Sequence, residues 1–438
     1  MPRGSAEFSR PTDPLRFDLL PDTAEIDESG ALSIGGCRVA DLAAEYGTPL
    51  FIYDEEHLRG RCRQAVAAWG DGVAYATKAF LCRAMAQLAV EEGMCLDVST
   101  EGELHVALAA GVPADRLVLH GNNKAERELA QALDAGVGRI IVDSFDEIER
   151  LEGLLSTRSL RPQVLARVTP GVEVHTHEFV QTGQDDSKFG FGLAAGDAAR
   201  AVARLQAMEA AGLVDFVGLH AHLGSQVFAL EPFAQAIEVL ASFFAPLGLP
   251  ELVVGGGLGV AYLNGEHAPA MADWADIVRR ACRAAGIPEG TRVTAEPGRS
   301  IVADAAVTVY TVGTIKNLPG IRTYVAVDGG MSDNPRPVLY DSGYEAFLPR
   351  ATLAPRNLEI RVVGKHCESG DVIVPDAWVP DDLVVGDLLV TPVTGAYGYS
   401  MASNYNKVPR PAVLFVADGK ARVVVRRESL DDLLRLDT

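Results

Sequence analysis

The chain is short of several things, and each shortage narrows its chemistry. No uninterrupted apolar run in its 438 residues reaches the roughly 18 positions that a membrane-spanning helix needs. Its opening stretch, MPRGSAEFSRPTDPLRF, contains no apolar core of a secretion signal; "PRGS…EF" reads as an expression-vector scar and is set aside from fold reasoning. Positive charge is scarce too. With 39 Lys and Arg against 59 Asp and Glu the net charge is −20, which argues against a general nucleic-acid binder. The six cysteines (Cys37, Cys62, Cys82, Cys95, Cys282, Cys367) form no C-x-x-C pair, a spacing that suits reduced thiols in a cytoplasm better than a disulfide framework or a zinc site. What remains, 48% hydrophobic and 22% charged residues, is an ordinary globular composition.

From about Leu50 to Ile301, short apolar runs such as PLFIYD, GVAYATK, MCLDVS, RIIVDS and FVGLHAHLG alternate with Ala/Leu/Glu/Arg stretches of helical period. About eight such units predict a closed (β/α)8 TIM-type barrel, with an open doubly wound sheet as the alternative. After about Ala303 the pattern becomes short alternating strands with turn residues between them, which predicts an antiparallel β domain. The expected domains are therefore a barrel over 49–303 and a β domain over 304–438. Residues 1–48 form a segment that joins the β domain.

Polar residues gather at the C-terminal ends of the barrel runs, where a barrel carries its chemistry: Lys78, Asp97, His120, Arg167, His222, Gly255–Gly257 and Glu296. Lys78, in VAYATKAF, has apolar neighbours that would desolvate it and free its amine as a nucleophile or Schiff-base former; a lysine snorkelling to the barrel rim is the other reading. Gly255, Gly256 and Gly257, in VVGGGLG, let a backbone approach an anion, or simply make a flexible turn. They are not a dinucleotide fingerprint, because Val260 stands where its third glycine belongs. Glu296, in AEPGRS, could protonate a heteroaromatic nitrogen while Gly298 and Arg299 clamp an anion; an ordinary Glu–Arg pair is the alternative. His222, in HLGSQ, is either a packed core residue or a flat imidazole facing a cofactor ring. Chelation of a metal by His220 and His222 is disfavoured, since alternate strand side chains point to opposite faces.

In order along the chain, Lys78, HLGSQ, the glycine triplet, EPGRS, DGGMSDNPRPVLY, CESGD and SNYN resemble the fold type III, alanine-racemase-like pyridoxal-phosphate decarboxylases, and most closely their diaminopimelate-decarboxylating branch. The resemblance runs from about Leu32 to the C-terminus. It implies pyridoxal 5'-phosphate held through Lys78, with His222 stacked on its ring and Glu296 on the ring nitrogen. Gly255–Gly257, Gly298, Arg299, Ser225 and Tyr397 would surround its phosphate, and Asp97 and Arg167 would lie near by. Arg299, Arg336, Tyr340 and Tyr397 would hold the substrate. Cys367 would return a proton after carbon dioxide leaves, Glu368 would bind a distal ammonium, and no metal would take part. The implied reaction turns meso-2,6-diaminopimelate into L-lysine, the last step of lysine biosynthesis. It would run in a cytoplasmic homodimer whose subunits share active sites. A decarboxylase of another carboxylated amino acid, an alanine-racemase-like activity and a non-catalytic cofactor-binding homologue are the competing readings.

Overall fold

The computed structural model describes residues 15–171 and 187–438. The opening segment with its vector-like residues lies mostly outside that range. Two compact units are present: Arg59–Val260 with Ala268–Ile301, and Met1–Leu58 with Ala261–His267 and Val302–Thr438.

The first unit is built on eight parallel strands: β1 (Ala74–Ala76), β2 (Cys95–Val98), β3 (Leu117–Leu119), β4 (Arg139–Val142), β5 (Gln163–Thr169), β6 (Asp215–His220), β7 (Glu251–Val253) and β8 (Arg292–Thr294). Each pairs with the next in chain order. The ends of the row meet, since Ala74 N–H donates to Ala295 C=O at 3.0 Å and Ala76 N–H to Pro297 C=O at 3.1 Å. The sheet is thus a closed (β/α)8 barrel, as expected. Two of its helices start at a side-chain cap: Thr100 Oγ1 accepts from Glu103 N–H and Ser144 Oγ from Glu147 N–H. Inside, Ala74, Cys95, Val118, Ile141, Leu165 and Val253 form one apolar layer.

The second unit holds a mixed sheet. Ala306–Leu318 is its long central strand and pairs antiparallel with Arg322–Val327, Leu388–Pro392 and Leu50–Asp54. The antiparallel expectation needs two amendments, because Arg322–Val327 runs parallel to Leu358–Val363, and Leu50–Asp54 parallel to Ala412–Ala417. The apolar run predicts Leu50–Asp54 as the first barrel strand, with the boundary at 49. It belongs to this sheet instead, and all five of its residues are buried. A strand covered on both faces has the same apolar run whichever sheet it enters, so pattern alone does not place it. The N-terminal segment joins the same unit: Leu32 N–H donates to Pro349 C=O and Gly419 N–H to Gly35 C=O, both at 2.8 Å. Among the described residues no helix is long and apolar enough to cross a membrane.

Candidate active site

Glu296 follows β8 and is buried. Its Oε1 lies 2.9 Å from His120 Nε2, just past β3, and its Oε2 lies 2.9 Å from His220 Nε2, the last residue of β6. Burial pushes the Glu296 carboxyl up, but the two histidines, by charge and hydrogen bond, outweigh it and hold the group well below the usual carboxylate range. Burial likewise opposes charge on His120, yet Asp97 and Glu296 beside it raise its imidazole. On His220 burial wins and brings the imidazole down to about 4. Burial pushes Asp97 up to about 6. The Glu–Arg pair weighed for AEPGRS is not what forms: Glu296 takes two histidines, and Arg299 Nη2 reaches Ser225 Oγ at 3.0 Å.

The glycine turn sits against these groups. Gly255 has φ +67°, and a Cβ there would lie 2.5 Å from His222 Nδ1. A Cβ on Gly256 would come within 2.5 Å of the Glu296 carbonyl oxygen, and Gly256 N–H donates to His222 Nδ1 at 3.1 Å. His222 is half-buried; its surroundings, burial foremost and then the charges of Lys78 and Arg167, hold its ring well below the usual imidazole range. Gly298 packs on β1, where a Cβ would meet Ala76 Cβ at 2.9 Å. Lys78 lies on the turn after β1, close enough to act on the charges of both Asp97 and His222. One expectation is corrected here. Lys78 is exposed, so its apolar sequence neighbours do not desolvate it. Arg167 is buried, with Nη1 3.5 Å from Asp143 Oδ2 and its guanidinium over the Phe189 ring at 4.3 Å.

The second unit carries the other expected residues. Arg336 and Tyr340 begin and end a five-residue helix. Arg336 is buried: Nη1 donates to Tyr344 Oη at 2.5 Å, and the guanidinium lies 4.4 Å from the Tyr262 ring. Tyr397, with φ +59°, is near enough to act on its charge. Cys367 and Glu368 are exposed on the GKHCESGD loop. Asp371 ties that loop down: its Oδ2 accepts from His366 N–H at 2.9 Å and lies 2.7 Å from His366 Nδ1, while Oδ1 accepts from Met331 N–H at 2.7 Å. Cys367 N–H donates to Asn406 Oδ1 at 2.9 Å.

A family model described as pyridoxal-dependent decarboxylase, pyridoxal binding domain, matches residues 55–303. The diaminopimelate decarboxylase of Mycobacterium tuberculosis is 46% identical, covering 97% of this chain and 98% of that one. The chain belongs to the diaminopimelate decarboxylase family. The Bacillus subtilis member is 43% identical over 96% of this chain and 98% of its own length. Among solved structures, the diaminopimelate decarboxylase of M. jannaschii in co-complex with L-lysine superposes with a TM-score of 0.87 at 30% identity, covering 95% of this chain and 98% of that one. The cofactor of the family is pyridoxal 5'-phosphate, and the barrel's groups fit it. Glycine N–H groups, a hydroxyl and a guanidinium suit a phosphate, an ionised carboxylate suits a protonated ring nitrogen, and an exposed amine suits an aldehyde.

Sequence reasoning missed the roles of His120, His220 and Asp143. His120 was visible as a polar strand end, but nothing local marks it as a partner of a carboxylate 176 residues away.

Proposed function

We propose that the chain decarboxylates meso-2,6-diaminopimelate to L-lysine and carbon dioxide. The observation that carries this reading is the gathering of an ionised Glu296, the Gly255–Gly257 turn and the Arg299–Ser225 pair around His222 at the C-terminal ends of barrel strands. When bound, pyridoxal phosphate takes up the electron pair that departing carbon dioxide leaves behind. Lys78 Nζ supplies the covalent anchor for the cofactor aldehyde. Glu296, kept ionised by its two histidines, would hold a proton on the ring nitrogen, and His222 would face the ring. Gly255–Gly257, Gly298, Arg299, Ser225 and Tyr397 take the phosphate, with Asp97 and Arg167 setting the surrounding charge.

Cys367 Sγ gives a proton to the substrate Cα once the carboxylate has left, and Glu368 takes the distal ammonium. Arg336, Arg299, Tyr340 and Tyr397 hold the distal carboxylate. The Tyr262 and Tyr344 rings keep the Arg336 guanidinium in place. An arginine there favours a substrate with a distal carboxylate over ornithine or arginine, whose distal ends are cationic. The barrel expected over 49–303 serves as the cofactor-binding domain, and the β domain supplies Cys367 and Glu368 to a second copy of the chain. A cytoplasmic setting belongs to the same reading and draws on the free state of the six cysteines.

Purified protein should release carbon dioxide from meso-diaminopimelate. Lys78→Ala should lose both that activity and the visible absorbance of bound cofactor. Cofactor absorbance without carbon dioxide release would leave the cofactor site standing and refute the substrate.

A further inference from the structure

Of the motifs that carry the family resemblance, SNYN (residues 403–406) is the one to which the reaction assigns no task. Its two asparagines do different things. Asn404 fastens the base of the turn: Nδ2 donates to Val408 C=O at 3.1 Å and to Glu428 Oε2 at 2.6 Å, while Oδ1 accepts from Arg410 Nη2 at 3.3 Å. Asn406 instead reaches across to the GKHCESGD loop, where its Oδ1 accepts from Cys367 N–H at 2.9 Å.

The backbone is bent to make that contact. Asn406 has φ 52° and ψ 23°, and Lys407 follows with φ 56°. This is the left-handed region, which asparagine enters more readily than most side chains and lysine enters reluctantly. Two such residues in succession persist only where their surroundings hold them. The surroundings here are the neighbours of Cys367. The His366 ring, held by Asp371, stacks on Tyr405 with centroids 5.7 Å apart and planes 13° from parallel. Tyr405 Oη donates to Glu368 Oε2 at 3.5 Å, and Ser403 N–H donates to Ser332 C=O at 2.9 Å. The turn therefore touches His366, Cys367 and Glu368 in order.

We propose that Asn406 is a positioning residue for Cys367. By accepting from Cys367 N–H it fixes the peptide that carries the thiol, and with it the direction in which Sγ is presented. The inference rests on Cys367 being the proton donor. Position 406 then has two requirements, a side-chain acceptor and a tolerance of the left-handed backbone. Asparagine and aspartate meet both, and glycine meets only the second.

The test is steady-state kinetics of the holoenzyme with meso-diaminopimelate. Asn406 is exposed and glycine accepts its backbone, so Asn406→Gly should fold. It should lower kcat by about ten- to a hundred-fold, the cost of misplacing a reacting group slightly, with a much smaller change in KM. Asn406→Asp keeps the acceptor and should stay within about three-fold of wild-type kcat. In a Cys367→Ala background, Asn406→Gly should lower the remaining turnover by less than about two-fold, because there is no thiol left to position. A merely structural residue would cost the same in both backgrounds. Wild-type kcat in Asn406→Gly, a loss in Asn406→Asp as large as in Asn406→Gly, or an undiminished loss in the Cys367→Ala background overturns the proposal. Full turnover of Cys367→Ala alone removes the proton-donor reading and this proposal with it. A full-rate Asn406→Gly beside a slow Cys367→Ala removes the proposal and leaves that reading standing.

Discussion

At the scale of single residues, the question is how one carboxylate stays charged with almost no water around it. Glu296 is 6% exposed, and burial alone would neutralise it. Each of its oxygens instead faces an imidazole nitrogen. His120, raised by Asp97 and Glu296, brings positive charge, whereas His220, lowered to about 4, is neutral near pH 7 and donates through Nε2, leaving its buried Nδ1 without a partner. A lowered histidine binds fewer protons folded than unfolded, so its contribution to stability is present above pH ~6.5 and is lost as pH falls toward 4. His220→Asn removes that titration. The fall in melting temperature between pH 7 and pH 4.5 should be smaller in the variant than in the wild type; an unchanged fall would show that His220 does not titrate this way. None of this was legible in the sequence, because a pairing across 76 residues has no local pattern. Glu296 itself was legible, since a carboxylate closing a strand before Pro-Gly-Arg is a local feature. Cys367 allows a second residue-scale forecast. If its thiol returns the proton, Cys367→Ala should lower kcat by about 10²- to 10⁴-fold, the usual worth of a positioned acid, with little change in KM. Full turnover in the variant would remove the role from Cys367.

At the scale of elements, the glycine turn after β7 shows why some of the site could be read in advance. Gly257 has φ +116°, a conformation that side chains rarely adopt, and a Cβ would meet the Gly224 carbonyl oxygen at 2.5 Å. Backbone demands of this kind leave a mark at one position, so GGG could be recognised on its own. Gly257→Ala should cost about 1–3 kcal/mol through strain and crowding, and it should weaken cofactor binding as the turn shifts. Thermal melts and a pyridoxal-phosphate titration would check both. Strand Leu50–Asp54 illustrates the opposite case. Its partners, Ala306–Leu318 and Ala412–Ala417, lie hundreds of residues away, and an unbroken apolar run carries no record of them. The loop GKHCESGD was readable as a functional turn but not as a tethered one. Asp371 holds it through three contacts, to Met331 N–H, His366 N–H and His366 Nδ1, in a site where the aspartate is 3% exposed. Asp371→Asn exchanges a charged acceptor for a weaker one and should destabilise the protein by about 1–3 kcal/mol. The same change should speed reaction of Cys367 with a thiol reagent, because the loop is freer to move.

At the scale of the whole molecule, if Cys367 returns the proton, the exposure of Cys367 and Glu368 sets a requirement. A group that protonates a carbanion must work away from bulk water, which would otherwise compete for the same carbon. In the single chain these side chains face solvent. A second copy of the chain, related by a two-fold axis, would cover both loops at once, since such an interface places the same surface on each side. Exposed leucines at the C-terminus, Leu430, Leu434 and Leu436, offer apolar area for such a contact. If each site takes Lys78 from one subunit and Cys367 from the other, Lys78→Ala protein is inactive alone and Cys367→Ala protein keeps about one per cent of turnover or less. Equal mixing then makes half of the dimers hybrids. In every hybrid one site lacks both groups and the other has both, so about a quarter of wild-type turnover should return. Sites built within one chain would return none, because no exchange of subunits brings an intact Lys78 and an intact Cys367 into one chain. The recovered fraction, measured after subunit exchange has been verified, therefore separates a shared site from a self-contained one, whatever the exact rate of the wild-type protein.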